Sequence, residues 1–337
     1  MGYYYSFDDA MKERFGGKVY RLALSASSNC PNRDGTCGTG GCIFCSKGGS
    51  GDFAEDAALP VYEQIQRAKA RVSKKLSRSF AGYMAYFQSF TETYGDQDHL
   101  ISCFREAAAA PEILALSIAT RPDCIQEKML QALAELNLIK PVYVELGLQT
   151  MHEDTAGYIN RGYKLDIFED ALRRLKSAGL AVVVHVIIGL PGEGPERTKA
   201  TVRYLAGLSA EYPIDGVKLQ LLHVLKGTRL AELLPADYTE QAERIMMREQ
   251  GCGTLILNDG KALPCYNIQN YAELVTELVS MLPEETAVHR VTGDAPKALL
   301  LFPQWTADKK RVLNTITKCF RERMRNAPDS GLEGKWC

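Results

Sequence analysis

Four of the chain's ten cysteines crowd into one stretch: Cys30-Pro-Asn-Arg-Asp-Gly-Thr-Cys37-Gly-Thr-Gly-Gly-Cys42-Ile-Phe-Cys45. Thiolates are the usual ligands of iron–sulfur clusters, and a Cys-x-x-Cys pair such as Cys42/Cys45 can embrace adjacent irons of one cluster. A third thiolate leaves one iron of a cubane without a protein ligand, open to a substrate or cofactor. Gly35, Gly38, Gly40, Gly41 and Gly48 let the loop bend around a bulky inorganic core. The same spacing admits two other chemistries. One is a structural zinc site in which Cys37 completes four ligands. The other is a redox Cys-x-x-Cys, which belongs at a helix start in a shorter βαβ unit. Spacing alone leaves both Cys30 and Cys37 as candidates for the third thiolate. The other six cysteines are scattered; Cys103, Cys124 and Cys319 sit in helical patterns and read as small hydrophobes.

A loop of this kind needs rigid elements on both sides. Strand-like segments recur at Val19–Leu24, Tyr83–Phe87, Ile113–Ile118, Val142–Leu148, Val182–Ile188 and Gly216–Leu222. Helical periodicity fills the gaps at Leu59–Arg78, His99–Ala109, Cys124–Leu136, Asp166–Ser177 and Glu196–Leu208. Such alternation predicts a parallel sheet, as a doubly wound sheet or a barrel, with functional residues in loops after the strand ends. The cysteine loop follows the first strand. Past residue 225 the pattern changes to a small hairpin over Leu255–Leu263, a helix over Ala272–Met281, a strand over Ala287–Val291 and a basic helix over Asp308–Arg325. The expected organisation is a core over 1–225, with the cluster loop at 26–54, and an extension over 226–337 packed on it.

A net charge of −1 announces no global field for nucleic acid or membrane, so such a partner must meet a local patch. No apolar run approaches the roughly 20 residues of a membrane span, and the N-terminus lacks a signal-peptide core. The expectation is a cytoplasmic protein with no membrane partner. Two single residues stand out. Glu145 lies between Val144 and Leu146 in a buried strand, so its carboxylate must pair with a base such as Arg121 or face the site. His223, at the end of the sixth strand, points by position towards the mouth of a barrel and is a candidate for the substrate side.

These residues carry a resemblance. Cys42-Ile43-Phe44-Cys45, with an aromatic before the last cysteine, resembles the cluster loop of the radical S-adenosylmethionine superfamily. The long gap from Cys30 to Cys42 is similar to the Elongator catalytic subunit and the YhcC/YtqA-type proteins. So are Tyr4–Lys18, Tyr86–Tyr94, Thr120–Cys124, Val144–Thr150, Asn160–Gly162, His185–Glu193, Leu222–Thr228, Val288–Asp294 and Trp305. The resemblance covers nearly the whole chain. It implies an α/β fold, a partial (β/α)6 TIM-like barrel with a C-terminal α+β extension. It implies a [4Fe–4S] cluster on Cys30, Cys42 and Cys45, with Cys37 at a variable position. S-adenosyl-L-methionine would bind the open iron and, on reduction, yield a 5′-deoxyadenosyl radical.

Site residues follow from the same likeness. Phe44 would flank the cofactor. Thr91, in the turn Gln88–Thr93, would sit beside the methionine amine; Gln149 and His185 would contact the ribose. Arg161 would pair with the carboxylate and Gly189-Leu190 would meet the adenine. An acidic residue that the Elongator-like relatives would place near Ala119 is absent. The group is associated with tRNA, converting a carboxymethylaminomethyl-type side chain at carbon 5 of the wobble uridine towards aminomethyl. A flavodoxin or ferredoxin would supply electrons. Basic residues Lys309, Lys310, Arg311, Lys318, Arg321, Arg323 and Arg325 crowd one helix, and Lys69, Arg71, Lys74, Lys75 and Arg78 another. They offer phosphate attraction or merely solvated faces. Tyr3, Tyr4, Tyr5 and Tyr266 offer base stacking or simple packing. A small-molecule or peptide substrate, or a non-catalytic metal-binding module, stands as the alternative.

Overall fold

The computed structural model describes residues 2–49, 51–248 and 251–326. Six strands lie side by side in chain order: β1 (Lys18–Leu24), β2 (Phe80–Phe87), β3 (Ile113–Thr120), β4 (Val142–Gln149), β5 (Ala181–Ile188) and β6 (Gly216–Leu221). Every neighbouring pair is parallel. The connecting helices are α2 (Val61–Val72), α3 (Gln97–Ala109), α4 (Glu127–Asn137), α5 (Glu153–Tyr158), α6 (Leu165–Ser177) and α7 (Pro195–Ser209), with α1 (Phe7–Phe15) ahead of β1. Parallel strands need such crossovers, and neighbours in chain order wound one way curl the sheet into a half-barrel. The expected partial TIM-like barrel is thus present.

Beyond β6 come β7 (Val224–Leu225), α8 (Arg229–Glu232), α9 (Tyr238–Arg248), the hairpin of β8 (Gly253–Ile256) and β9 (Ala262–Cys265), α10 (Ile268–Ser280), β10 (Ala287–Arg290), β11 (Leu300–Phe302) and α11 (Lys309–Asn326). β10 joins the sheet as its seventh strand, parallel to β6 through Ala287↔Gly216 and Val288↔Val217. Helix α10 packs against α7 and buries Tyr271, Leu274, Val275 and Leu278 in the main core. The pair α10–β10 therefore continues the βα repeat of the core.

The barrel does not close by strand pairing between β1 and β10. The N-terminal segment fills that gap instead. Val288 N donates to Tyr5 O at 2.8 Å, and Ser6 bridges to Val288. Phe7 packs edge-on to His289, the Arg21 guanidinium lies 3.7 Å above the Phe7 ring, and Arg21 Nη2 meets His289 Nδ1 at 3.0 Å. Ser6 and Asp9 form a reciprocal cap that starts α1 at this point.

Strand alternation sorts the inward side chains into layers. The lowest is apolar: Val19, Met84, Ala115, Tyr143 and Val183, plugged by Met11 of α1. Two residues further along each strand the layer turns polar, with Arg21, Tyr86, Ser117, Glu145, His185 and Lys218. The outward residues Val182, Val184, Val186 and Ile188 of β5 bury against the helices, as the near-continuous apolar run requires.

Candidate functional site

A cavity of about 250 Å³ opens at the C-terminal ends of the strands, above the polar layer. Cys30, Cys42 and Cys45 line it, as do Phe44, Thr91, Gln149, Arg161, His185, Glu145 and His223. Residues from the loop after β1 and from the ends of β3 to β6 thus meet in one place. Gly189 and Leu190 do not line it. Gly189 (φ +82°) borders a small gap beside Tyr266, and Leu190 is fully buried in a second apolar cluster.

The cysteine loop is held by a buttress whose purpose its sequence does not announce. The buried Asn32 amide donates to Asn160 O, and Asn160 Nδ2 returns a bond to Gly41 O at 2.8 Å. Ile43 N donates to Ile159 O, and Leu230 N to Ile43 O. Asn160 sits in the left-handed region at φ +55°, and a Cβ on Gly162 (φ +82°) would stand 3.1 Å from Asn32 Oδ1. The Asn160–Gly162 segment therefore supports the loop from below. On the other side, Glu92 is wholly buried and accepts from Ala26 N, Ser27 N and Ser89 N, each at 2.9 Å, which ties the loop entry to the turn after β2. Burial pushes its carboxyl up to about 8 against those three bonds.

Within the loop, a hydrogen bond with Cys45 and burial push the Cys42 thiol well up. The two sulfurs are neighbours, as one Cys-x-x-Cys turn dictates; Cys45 N donates to Cys42 O at 3.0 Å. Asn32 Nδ2 lies 3.7 Å from Cys42 Sγ, a donor of the sort that tunes cluster sulfurs. Cys37 points elsewhere: it is exposed, meets Asp123 Oδ2 at 3.8 Å and lines a separate groove with Asp34 and Tyr94. None of the nine described cysteines is in a disulfide; Cys337 lies outside the described residues.

The donor set fits a cluster. Among the described residues, no group of three or more His, Cys, Asp and Glu side chains is arranged to hold a metal ion. Three thiols instead line a cavity, which suits a body several ångströms across whose irons take one thiolate each. The Thr91 hydroxyl, fully buried beside them, has no hydrogen-bond partner in the protein. An orphan of this kind calls for a ligand. His223 Nε2 is a second, and burial lowers that imidazole to about 4, so it stands neutral.

Glu145 pairs with Lys218 and His185, not with Arg121. Arg121 forms a bidentate pair with Asp123 and donates to Arg161 O at 2.8 Å. Arg161 is fully buried; its guanidinium donates to Leu148 O at 3.0 Å, Thr150 O at 2.6 Å and Tyr163 O at 2.9 Å. Gln149, between two of those carbonyls, takes φ +67°. Lys218, Arg290, Tyr86 and Gln220 also face the cavity, a placement that no local motif announces. A lysine inside Gly-Val-Lys-Leu-Gln-Leu, a strand due to be buried, was the available signal.

The aromatic candidates pack. Tyr3 and Tyr4 rest on Phe320, Tyr5 OH donates to Glu13, and Tyr266 is buried against Tyr271. Among the described residues no helix is long and apolar enough to cross a membrane.

The family model "Radical SAM superfamily" matches residues 29–205, from the cysteine loop after β1 into α7, and a "Radical_SAM C-terminal domain" model matches 258–322. The chain belongs to the radical SAM superfamily. Radical SAM enzymes use a [4Fe–4S] cluster and S-adenosylmethionine, and this chain is an enzyme of that class. It is similar to YtqA of Bacillus subtilis, with 36% identity over 95% of this chain and 90% of the relative. Protein YhcC of Escherichia coli is 31% identical over 90% and 87%. Among solved radical SAM folds, the archaeal Methanocaldococcus infernus Elp3 superposes with a TM-score of 0.56 at 19% identity. That match covers 84% of this chain, which spans only 59% of the Elp3 chain.

Proposed function

We propose that the enzyme acts on tRNA, modifying the carbon-5 side chain of the wobble uridine by a carboxymethylaminomethyl-to-aminomethyl type conversion. The meeting of three thiols and the strand-end residues around one cavity supports the radical chemistry, and likeness to a relative named for tRNA supports the substrate. That likeness is a 32% identity over 120 residues to a protein named tRNA uridine(34) acetyltransferase from Methanocaldococcus jannaschii, which covers 36% of this chain and 21% of that one.

Cys30, Cys42 and Cys45 would hold the cluster. Bound there, cluster and S-adenosylmethionine supply hydrogen-atom abstraction once a flavodoxin- or ferredoxin-type donor provides an electron. The chain's residues do the rest. Thr91 offers its orphan hydroxyl to the methionine end, with Phe44 alongside. Gln149 and His185 take the ribose, and Arg161 fixes the backbone that carries Gln149. Gly189 and Leu190 shape the turn beyond the cavity where the adenine would rest. Glu145 and Lys218 form a buried, charged floor, and neutral His223 meets the substrate.

Two measurements test this. Anaerobic reconstitution is expected to give about four irons and four sulfides per chain, with cofactor cleavage on reduction. Wobble-uridine nucleosides, compared by mass spectrometry in cells with and without the gene, are expected to differ at carbon 5. Cofactor cleavage with an unchanged nucleoside profile would turn the assignment to a small-molecule or peptide substrate. Colourless protein carrying zinc would reduce it to a metal-binding module.

A further inference from the structure

The cavity has a second opening. His223, Gly293, Asp294 and Ala295 border it and also border an open groove of about 620 Å³. That groove runs past Lys297, Lys309 and Lys310, and merges through Asp308 and Lys310 with another beside Arg311 and Lys318. One continuous path thus leads from the buried site along the exposed face of α11. The opposite face of that helix, with Val312, Ile316 and Phe320, packs into the core.

The charges along the path are unbalanced. Lys309 pairs with Asp294 at 3.0 Å and Lys318 reaches Glu322 at 3.7 Å. Among the described residues Lys297, Lys310 and Arg311 have no carboxylate within ion-pair distance. The other basic helix behaves differently: in α2, Arg67 pairs with Glu63, Lys69 with Glu112, and Arg71 with Glu55. Among the described residues Lys74, Lys75 and Arg78, just past α2, are also without an ion pair; what sets α11 apart is that its unpaired charges border the groove that leaves the cavity.

We infer that this groove is the track of an RNA strand, whose phosphates run along Lys310, Arg311 and Lys318 while one unpaired base enters the cavity past His223. The inference rests on the proposal that RNA is the substrate and names the surface that would hold it. Two features favour a single strand: the groove is open, and it ends in a cavity that an unpaired, splayed-out base could enter. The His223 ring packs against Gly293, where a Cβ would stand 2.7 Å from Nε2, so the junction has no room for a larger residue.

Fluorescence anisotropy of a labelled anticodon stem-loop RNA, with anaerobically prepared cluster-loaded enzyme, tests it. The triple variant Lys310→Glu/Arg311→Glu/Lys318→Glu is expected to bind at least about tenfold more weakly in 0.1 M salt. Its log–log salt slope is expected to flatten by roughly 2–3. The control is Lys74→Glu/Lys75→Glu/Arg78→Glu. It reverses as many charges just before β2, at the opposite end of the barrel from the cavity, and is expected to bind with less than about threefold loss. RNA-independent cofactor cleavage must stay at the wild-type level in both variants, which shows that each is folded. Equal losses in both would overturn the groove, because charge alone would then account for binding. Undiminished binding by the α11 variant would overturn the groove and leave the tRNA assignment standing. Absence of binding by the wild-type enzyme would remove both.

Discussion

Lys218 reaches across β5 and donates to Glu145 Oε2, the oxygen that also meets His185 Nε2 at 2.8 Å. Ser117 Oγ donates to the other oxygen at 2.7 Å, and Lys218 also bonds Tyr86 OH at 2.9 Å. Strands β2 to β6 each give one member to this network. Against the desolvation of burial, Lys218 and His185 hold Glu145 well below the usual carboxylate range. Burial lowers the Lys218 ammonium to about 7, against the pull of Glu145. Both ions are almost wholly inaccessible, so each depends on the other.

Breaking the pair from one side strands a buried charge. Lys218→Met is expected to lose about 3–5 kcal/mol of unfolding free energy, and Lys218→Met/Glu145→Leu to recover most of it. Denaturant titration of both variants measures the difference. A single variant within about 1 kcal/mol of wild type would show that Glu145 has another counter-ion.

Glu92 gives a pH signature of the opposite sense to that lysine. Its folded carboxyl stands at about 8, above the ordinary 4.5, because burial favours the neutral form. Stability from this group is complete below about 4.5 and is lost as pH rises to about 8. Glu92→Gln cannot titrate. The stability of wild type relative to this variant is therefore expected to fall between pH 4.5 and 8 and to level off above it. Thermal unfolding of the cluster-free proteins across that range is the measurement, and a constant gap would mean the carboxylate stays ionised.

Much of this architecture follows from periodicity. The strands of the core and their helices lie within a few residues of where apolar spacing puts them, because strands buried on both faces and amphipathic helices leave strong patterns. The hidden part is long-range. Val288 pairs with β6 although some 70 residues separate them, and nothing local distinguishes a seventh barrel strand from one in a separate extension. Helix α1 carries a capping box but is too short to leave a clear apolar period. The site divides in the same way. Cys42 and Cys45 show in their spacing, since one turn brings them together. Lys218 finds Glu145 only through strand register two elements away, which is why Arg121, nearer in sequence, seemed the natural partner. Asn160 and Asn32 meet across 128 residues for the same reason.

Cys37 separates two ligand sets. It is exposed, turns towards Asp123 and is absent from the cavity that Cys30, Cys42 and Cys45 line. Cys37→Ala is expected to keep its full iron content after anaerobic reconstitution, whereas Cys30→Ala is expected to lose the cluster and all cofactor cleavage. Iron lost from Cys37→Ala and kept in Cys30→Ala would exchange their roles.

The Thr91 hydroxyl distinguishes a ligand-binding group from a packing one. Buried without a partner, it costs the free protein stability. Thr91→Val keeps the shape and is expected to be at least as stable as wild type, while its KM for S-adenosylmethionine rises about fivefold, as one lost hydrogen bond implies. A stability loss beyond about 2 kcal/mol with unchanged KM would place its partner inside the protein.

Arg161 is expected to behave the other way round. Its guanidinium satisfies the carbonyls of Leu148, Thr150 and Tyr163 at once, a task for a planar fork with several donors. Lysine at this position keeps the charge but reaches fewer of those oxygens, and each buried carbonyl left unpaired costs about 1–3 kcal/mol. Arg161→Lys is therefore expected to lose roughly 2–4 kcal/mol in denaturant unfolding. Its cofactor affinity is expected to fall as well, because the bonds to Leu148 and Thr150 flank Gln149 and hold it at φ +67°. Full stability with weakened cofactor binding would instead mean that the guanidinium serves the cofactor directly and that the carbonyl bonds are incidental.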